Sequence, residues 1–167
     1  MLLLIGLTPR CMATAVYQTP EDFIRDVFGS GPVTSGKLWI DKALQAEVGS
    51  ILGHELGVLR LQYWVKTGRT AWILEEIGKE QPITGGFVVN GGKIEQVRVL
   101  IFRETRGGEV HYPFFTDQFI GAGLAKNHDL SRHIDGISGA TLSVNAMVKL
   151  TKLALLFDQQ VQSRGSQ

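Results

Sequence analysis

Apolar positions recur along this chain at two spacings, and the change from one to the other marks its elements. Near the start, Thr19-Pro20-Glu21-Asp22 supplies an N-cap, a first-turn proline and acids beside the positive end of the helix dipole. Phe23, Val27 and Phe28 then form one apolar stripe, predicting a short helix that the glycine-rich stretch Gly29 to Gly36 ends. Leu38 to Ile40 reads as a brief strand. Asp41 caps a second helix through about Leu52, with Ala43, Leu44, Val48 and Ile51 near helical spacing and Gly53 and Gly57 closing it.

From Val58 the period becomes two. Leu59, Leu61, Tyr63 and Val65 alternate with Arg60, Gln62, Trp64 and Lys66, and Lys66-Thr67-Gly68-Arg69 turns the chain into Thr70 to Ile77. A second pair follows, Ile83 to Val89 and Lys93 to Phe102, joined by a tight Asn90-Gly91-Gly92 turn. A short helix is expected over Thr116 to Gly121, after the aromatic cluster Tyr112, Phe114 and Phe115. The strongest helix spans Leu142 to about Gln160, with Val144, Met147, Val148, Leu150, Leu155 and Phe157 among polar residues. The pattern predicts a single α+β domain, a largely antiparallel sheet flanked by helices and ending in that C-terminal helix.

The 167 residues suffice for one sizeable core. Seventeen basic against sixteen acidic side chains leave a formal charge of +1, without the long-range field that non-specific nucleic-acid binding uses. Nucleic acid is therefore not expected as a partner. No apolar run approaches the roughly 20 residues of a membrane-spanning helix, and no charge block or low-complexity tract suggests disorder.

Met1 to Leu7 is a short apolar run followed by Thr8-Pro9-Arg10 and the small-x-small pattern Ala13-Thr14-Ala15, so residues 1–15 read as a secretory signal, here without a basic stretch before the leucines. A truncated membrane anchor and an ordinary buried segment are the competing readings. The only cysteine, Cys11, lies inside that stretch, and a chain cleaved after Ala15 would carry no disulfide, thiol nucleophile or cysteine-ligated metal. A periplasmic location, or the outer face of the cytoplasmic membrane, is the expectation. On this reading 16–80 form the N-terminal part of the domain, and 81–160 carry its binding region.

Two motifs invite chemistry and lack its context. Gly31-Pro32-Val33-Thr34-Ser35-Gly36-Lys37 has the first seven positions of a phosphate-cradling loop, but Leu38 stands where a hydroxyl should ligate magnesium, and a helix rather than a strand precedes it. His54, His111, His128 and His133 show no zinc spacing, and no metal site is expected.

Asp135-Gly136-Ile137-Ser138-Gly139-Ala140-Thr141-Leu142-Ser143 is different. Small residues and hydroxyls crowd immediately before the strongest helix. Gly139 and Ala140 allow close approach to the backbone, and free amides with the helix dipole at Thr141 favour an anion. The alternative is a simple helix cap, with Ser138 or Thr141 accepting from first-turn amides.

Ser138-Gly139-Ala140-Thr141, with Asp135 upstream, resembles the flavinylation motif of the covalent FMN-binding domain family, found in subunits of the sodium-pumping NADH:quinone reductase and of Rnf-type electron-transport complexes. Gln81-Pro82-Ile83-Thr84-Gly85-Gly86-Phe87, Gly92-Lys93-Ile94, Glu104-Thr105-Arg106-Gly107 and Gln118-Phe119-Ile120-Gly121 follow that family's order and spacing. Where its members often carry Glu-Thr-Pro-Gly-Leu-Gly, this chain has Glu104-Thr105-Arg106-Gly107-Gly108-Glu109.

The resemblance implies FMN joined to Thr141 through a phosphoester, with Ser138, Gly139, Ala140, Leu142 and Ser143 around the attachment point. It also implies that Asp135 presents the motif, that Glu104 and Thr105 lie near the isoalloxazine ring, and that Phe87, Tyr112, Phe114, Phe115 and Phe119 are candidates to pack around it. A separate flavin transferase would load the chain, so no residue here is expected to be catalytic, and a membrane-bound redox complex or another donor and acceptor would exchange electrons with it. The expected function is electron relay. A redox-sensing or docking module without relay of its own, and a flavin-free domain whose motif only caps a helix, are the alternatives.

Overall fold

The computed structural model describes residues 14–165, and the expected signal over 1–15 lies almost wholly outside them. The elements are β1 (Ala15–Val16), α1 (Pro20–Phe28), β2 (Thr34–Trp39), α2 (Lys42–Leu52), β3 (Arg60–Lys66), β4 (Arg69–Ile77), β5 (Pro82–Asn90), β6 (Lys93–Phe102), α3 (Pro113–Thr116) and α4 (Thr141–Gly165). The six strands form one antiparallel sheet in the order β1-β6-β5-β4-β3-β2, which makes the domain α+β as the residue pattern predicts.

The first two helices start where their side chains dictate. The Asp22 amide donates to Thr19 Oγ1 at 3.1 Å, and the Leu44 amide donates to Asp41 Oδ1 at 2.9 Å. Each cap satisfies a first-turn donor that has no partner within the helix. Gly53 closes α2 in the left-handed conformation, with φ of 83°.

Both faces of the sheet are covered, which is why β5 is buried along almost its whole length. On one face α1 lays Phe23, Val27 and Phe28 against Ala71, Val88 and Leu100. On the other, α2 and α4 pack on Trp72, Phe87, Val97 and Val99. Adjacent glycines in β5 allow this double burial. A Cβ on Gly86 would come within 2.8 Å of the Phe23 ring, and one on Gly85 within 2.6 Å of the Phe87 ring. The far half of α4 is tied down through the buried Asp158, whose Oδ1 accepts from Thr70 Oγ1 at 2.7 Å, while Trp72 Nε1 donates to that same hydroxyl at 3.0 Å.

Two elements differ from expectation. β2 begins at Thr34, within a stretch whose Gly, Ser and Pro content reads as loop. Its residues pair from Thr34↔Val65 to Trp39↔Arg60 at the sheet edge, and Gly36 lies under the Tyr63 ring, where a Cβ would come within 2.5 Å. Residues 34–37 of the phosphate-loop look-alike therefore lie in a strand that follows α1, the reverse of the order such a loop needs.

The helix expected over Thr116 to Gly121 is replaced by an earlier, broken course. A 3-10 turn at Gly108–His111, the single turn α3 and a second 3-10 turn at Asp117–Phe119 follow one another. Pro113 sets the start of α3. Phe115 and Phe119 are drawn into the core edge to face, with centroids 5.3 Å apart.

Candidate functional site

The start of α4 is reached through the segment from Gly121 to Ala140, held by a few polar contacts. Arg132 Nη1 donates to the Gln118 carbonyl at 3.3 Å and also to the Ile120 carbonyl. The Gln118 side chain grips the Asp135 backbone, with the Asp135 amide donating to Gln118 Oε1 at 2.7 Å. The Asp135 carboxylate is left in solvent, with only His133 Nε2 beside it at 3.5 Å. It caps no amide of the loop.

The loop then closes on itself. The Ala140 amide donates to the Ile137 carbonyl at 3.0 Å, a turn that places Gly139 at φ of 79°, where a side chain would be strained. The Ala140 carbonyl accepts the first helical bond, from the Val144 amide at 2.9 Å. The N-cap of the longest helix is thus an alanine, which has no side-chain acceptor. The amides of Thr141, Leu142 and Ser143 precede the first intrahelical bond, and among the described residues no protein group accepts from them. Neither Ser138 nor Thr141 takes the capping role. Thr141 and Ser138 are exposed, while Ala140 and Ser143 are buried.

Beside this helix start runs an open groove of about 510 Å³, lined by Tyr17, the Thr105 to Glu109 stretch, His111, Tyr112, Ser138 and Gly139. Gly107, at φ of 85°, brings the end of β6 against α4, where a Cβ on it would come within 2.5 Å of Ser143 Oγ. Glu104 lies just before the groove and holds the turn beside it. Its Oε1 accepts from the backbone amides of Glu80 at 2.6 Å, Gln81 at 3.0 Å and Lys79, closing the connection between β4 and β5. Burial pushes the Glu104 carboxyl up, but the three amides and the Lys79 ammonium outweigh it and hold it below the ordinary 4.5.

Of the aromatics expected around a ring, Phe87, Phe115 and Phe119 are fully buried core residues, while Tyr112 and Phe114 reach the surface. Two groove residues had no signal in the sequence, Tyr17 and His111. Their rings stack with centroids 4.0 Å apart and 9° between planes. Burial raises the Tyr17 phenol above its ordinary 10.0, with Tyr112 and Glu109 adding to the shift, so it is neutral at ordinary pH.

The arrangement suits a phosphorylated planar ligand. Among the described residues three amides without acceptors stand at the positive end of a 25-residue helix that begins with the exposed Thr141, and an aromatic-lined groove lies beside that start. A family model described as FMN-binding domain matches residues 78–156, just under half of the chain. That span runs from the turn after β4 through the groove loop and into α4, taking in every groove residue except Tyr17. No curated protein and no solved structure matches the chain.

Proposed function

We propose that the protein is an FMN-binding flavoprotein, and more specifically an extracytoplasmic electron carrier holding FMN covalently through a phosphoester on Thr141 Oγ1, a reading that the match of residues 78–156 to the FMN-binding domain model supports as far as FMN binding. The observation that carries this reading is the uncapped start of α4, where an exposed hydroxyl sits on a helix turn whose amides lack acceptors. A phosphodiester keeps one negative charge, and the amides of Leu142 and Ser143 with the helix dipole would stabilise it there.

Thr141 does not activate itself. No base contacts its hydroxyl among the described residues, and the nearby carboxylate of Asp135 is paired only with His133. The activating base therefore belongs to a flavin transferase. In that step Thr141 Oγ1 forms a bond to the FMN phosphorus of FAD, the diphosphate bond breaks, AMP leaves, and the hydroxyl proton passes to the transferase. Ser138, Gly139 and Asp135 form the exposed face that such an enzyme would read, and Gly139 leaves the backbone open to close approach.

Bound FMN supplies the capacity to accept and pass on one or two electrons, and the chain supplies position and surroundings. Thr105, Arg106 and Gly107 line the groove in which the ring would rest, and Glu104 acts on it by fixing the end of β6. A covalent link also retains the cofactor where a dissociated one would be diluted, which fits the apolar leader and small-x-small pattern at the N-terminus. A membrane-bound redox complex is the partner this predicts.

Co-expression with a flavin transferase, followed by denaturing electrophoresis under ultraviolet light, tests the reading. A fluorescent band that disappears in Thr141→Ala is the expected result. A dark wild-type band beside an active transferase would overturn it.

A further inference from the structure

One part of the groove is built by a segment far from the helix start. β1 clips onto the edge strand through Ala15↔Phe102 and Val16↔Ile101, and the Tyr17 amide then donates to the Leu100 carbonyl at 2.9 Å. That bond leaves the Tyr17 ring over His111. The row continues from His111 to Tyr112, with centroids 3.9 Å apart and planes tilted by 37°, and from Tyr112 to a stacked Phe114 at 6.1 Å. His111 is fixed beneath, its Nδ1–H donating to the Gly108 carbonyl.

Tyr17 is 44% exposed and Tyr112 49% exposed, yet each packs against the His111 ring and both line the groove with Ser138 and Gly139. Scattered exposed aromatics need no explanation, but a contiguous row bordering the uncapped start of α4 suits a binding surface. Its flat faces match a fused planar ring better than a flexible chain.

We propose that Tyr17 is a contact residue for the isoalloxazine ring, so that the N-terminal clip, and not the 78–156 segment alone, completes the flavin seat. This inference rests on attachment at Thr141. The neutral phenol would stack on or hydrogen-bond to the ring, and as an electron-rich aromatic it would quench the ring's emission.

The test compares flavin-loaded wild type with Tyr17→Ala, Tyr17→Leu and Tyr17→Phe, with Trp39→Ala on the opposite sheet edge as control. Equal fluorescence on denaturing gels establishes equal attachment. In the native state, emission should rise several-fold in Tyr17→Ala and Tyr17→Leu and less in Tyr17→Phe, with a shifted flavin absorption band, and stay unchanged in Trp39→Ala. Tyr17→Leu keeps apolar packing where Tyr17→Ala does not fold. Equal loading with unaltered native emission and absorption would overturn the role of Tyr17 and leave attachment standing. A dark wild-type gel would overturn the reading beneath it.

Discussion

The three longest helices among the described residues begin differently. α1 and α2 carry side-chain caps, Thr19 and Asp41, each accepting from an amide three residues on. α4, which packs on β4, β5 and β6, starts from Ala140 with no capping acceptor. A cap contributes about 1 kcal/mol, so the helix with the largest share of the core forgoes a contribution that its shorter neighbours take. Departures from local consistency are expected where function needs the exposed group. Here the group left over is a turn of donors beside a hydroxyl.

Breaking the surroundings that hold this start in place should cost most. Glu104→Ala removes one carboxylate from three backbone amides and should destabilise the protein by about 2–3 kcal/mol in urea denaturation. The pH dependence has a definite sign. The folded-state value lies below the ordinary 4.5, so the stabilisation is complete above 4.5 and is lost as the pH falls through the lower folded value. The variant should lose that part of its acid sensitivity, and an unchanged stability–pH profile would show the three bonds contribute nothing.

Next comes Gly107→Ala. Its positive φ and the 2.5 Å approach to Ser143 Oγ predict a loss of about 1–3 kcal/mol, together with displacement of the α4 start and reduced flavin loading.

The smallest effects test the comparison of helix starts itself. Thr19→Ala and Asp41→Ala should each cost about 1 kcal/mol without altering flavin loading. Ala140→Ser should instead stabilise the flavin-free protein by up to about 1 kcal/mol and lower its loading, because the new hydroxyl competes for the same amides. Equal responses at all three positions would mean the α4 start is not special.

The capped helices and the hairpins were legible because each depends on residues adjacent in sequence. Thr19, Asp41, the Thr67-Gly68 turn and the Gly91-Gly92 turn all act within a few positions. β2 was only partly legible, because Gly36 and Ser35 read as loop until Tyr63, on the neighbouring strand, explains why a glycine is needed. At the site, the Ser138 to Thr141 stretch announced itself, yet whether it caps or leaves amides open depends on where the helix starts within a residue. The Tyr17–His111 stack left no trace in the sequence, since only the β1–β6 pairing brings the two together. Glu104 showed its position but not its partners, because the amides it holds belong to the turn between two other strands.

Intact-mass analysis of protein from its native host, compared with Thr141→Ala expressed in that host, tests the central claim most directly. The account predicts wild type heavier than the bare polypeptide by one FMN less one water, and the variant without that addition. Wild type found only as the bare polypeptide, or a variant that retains the added mass, would contradict it.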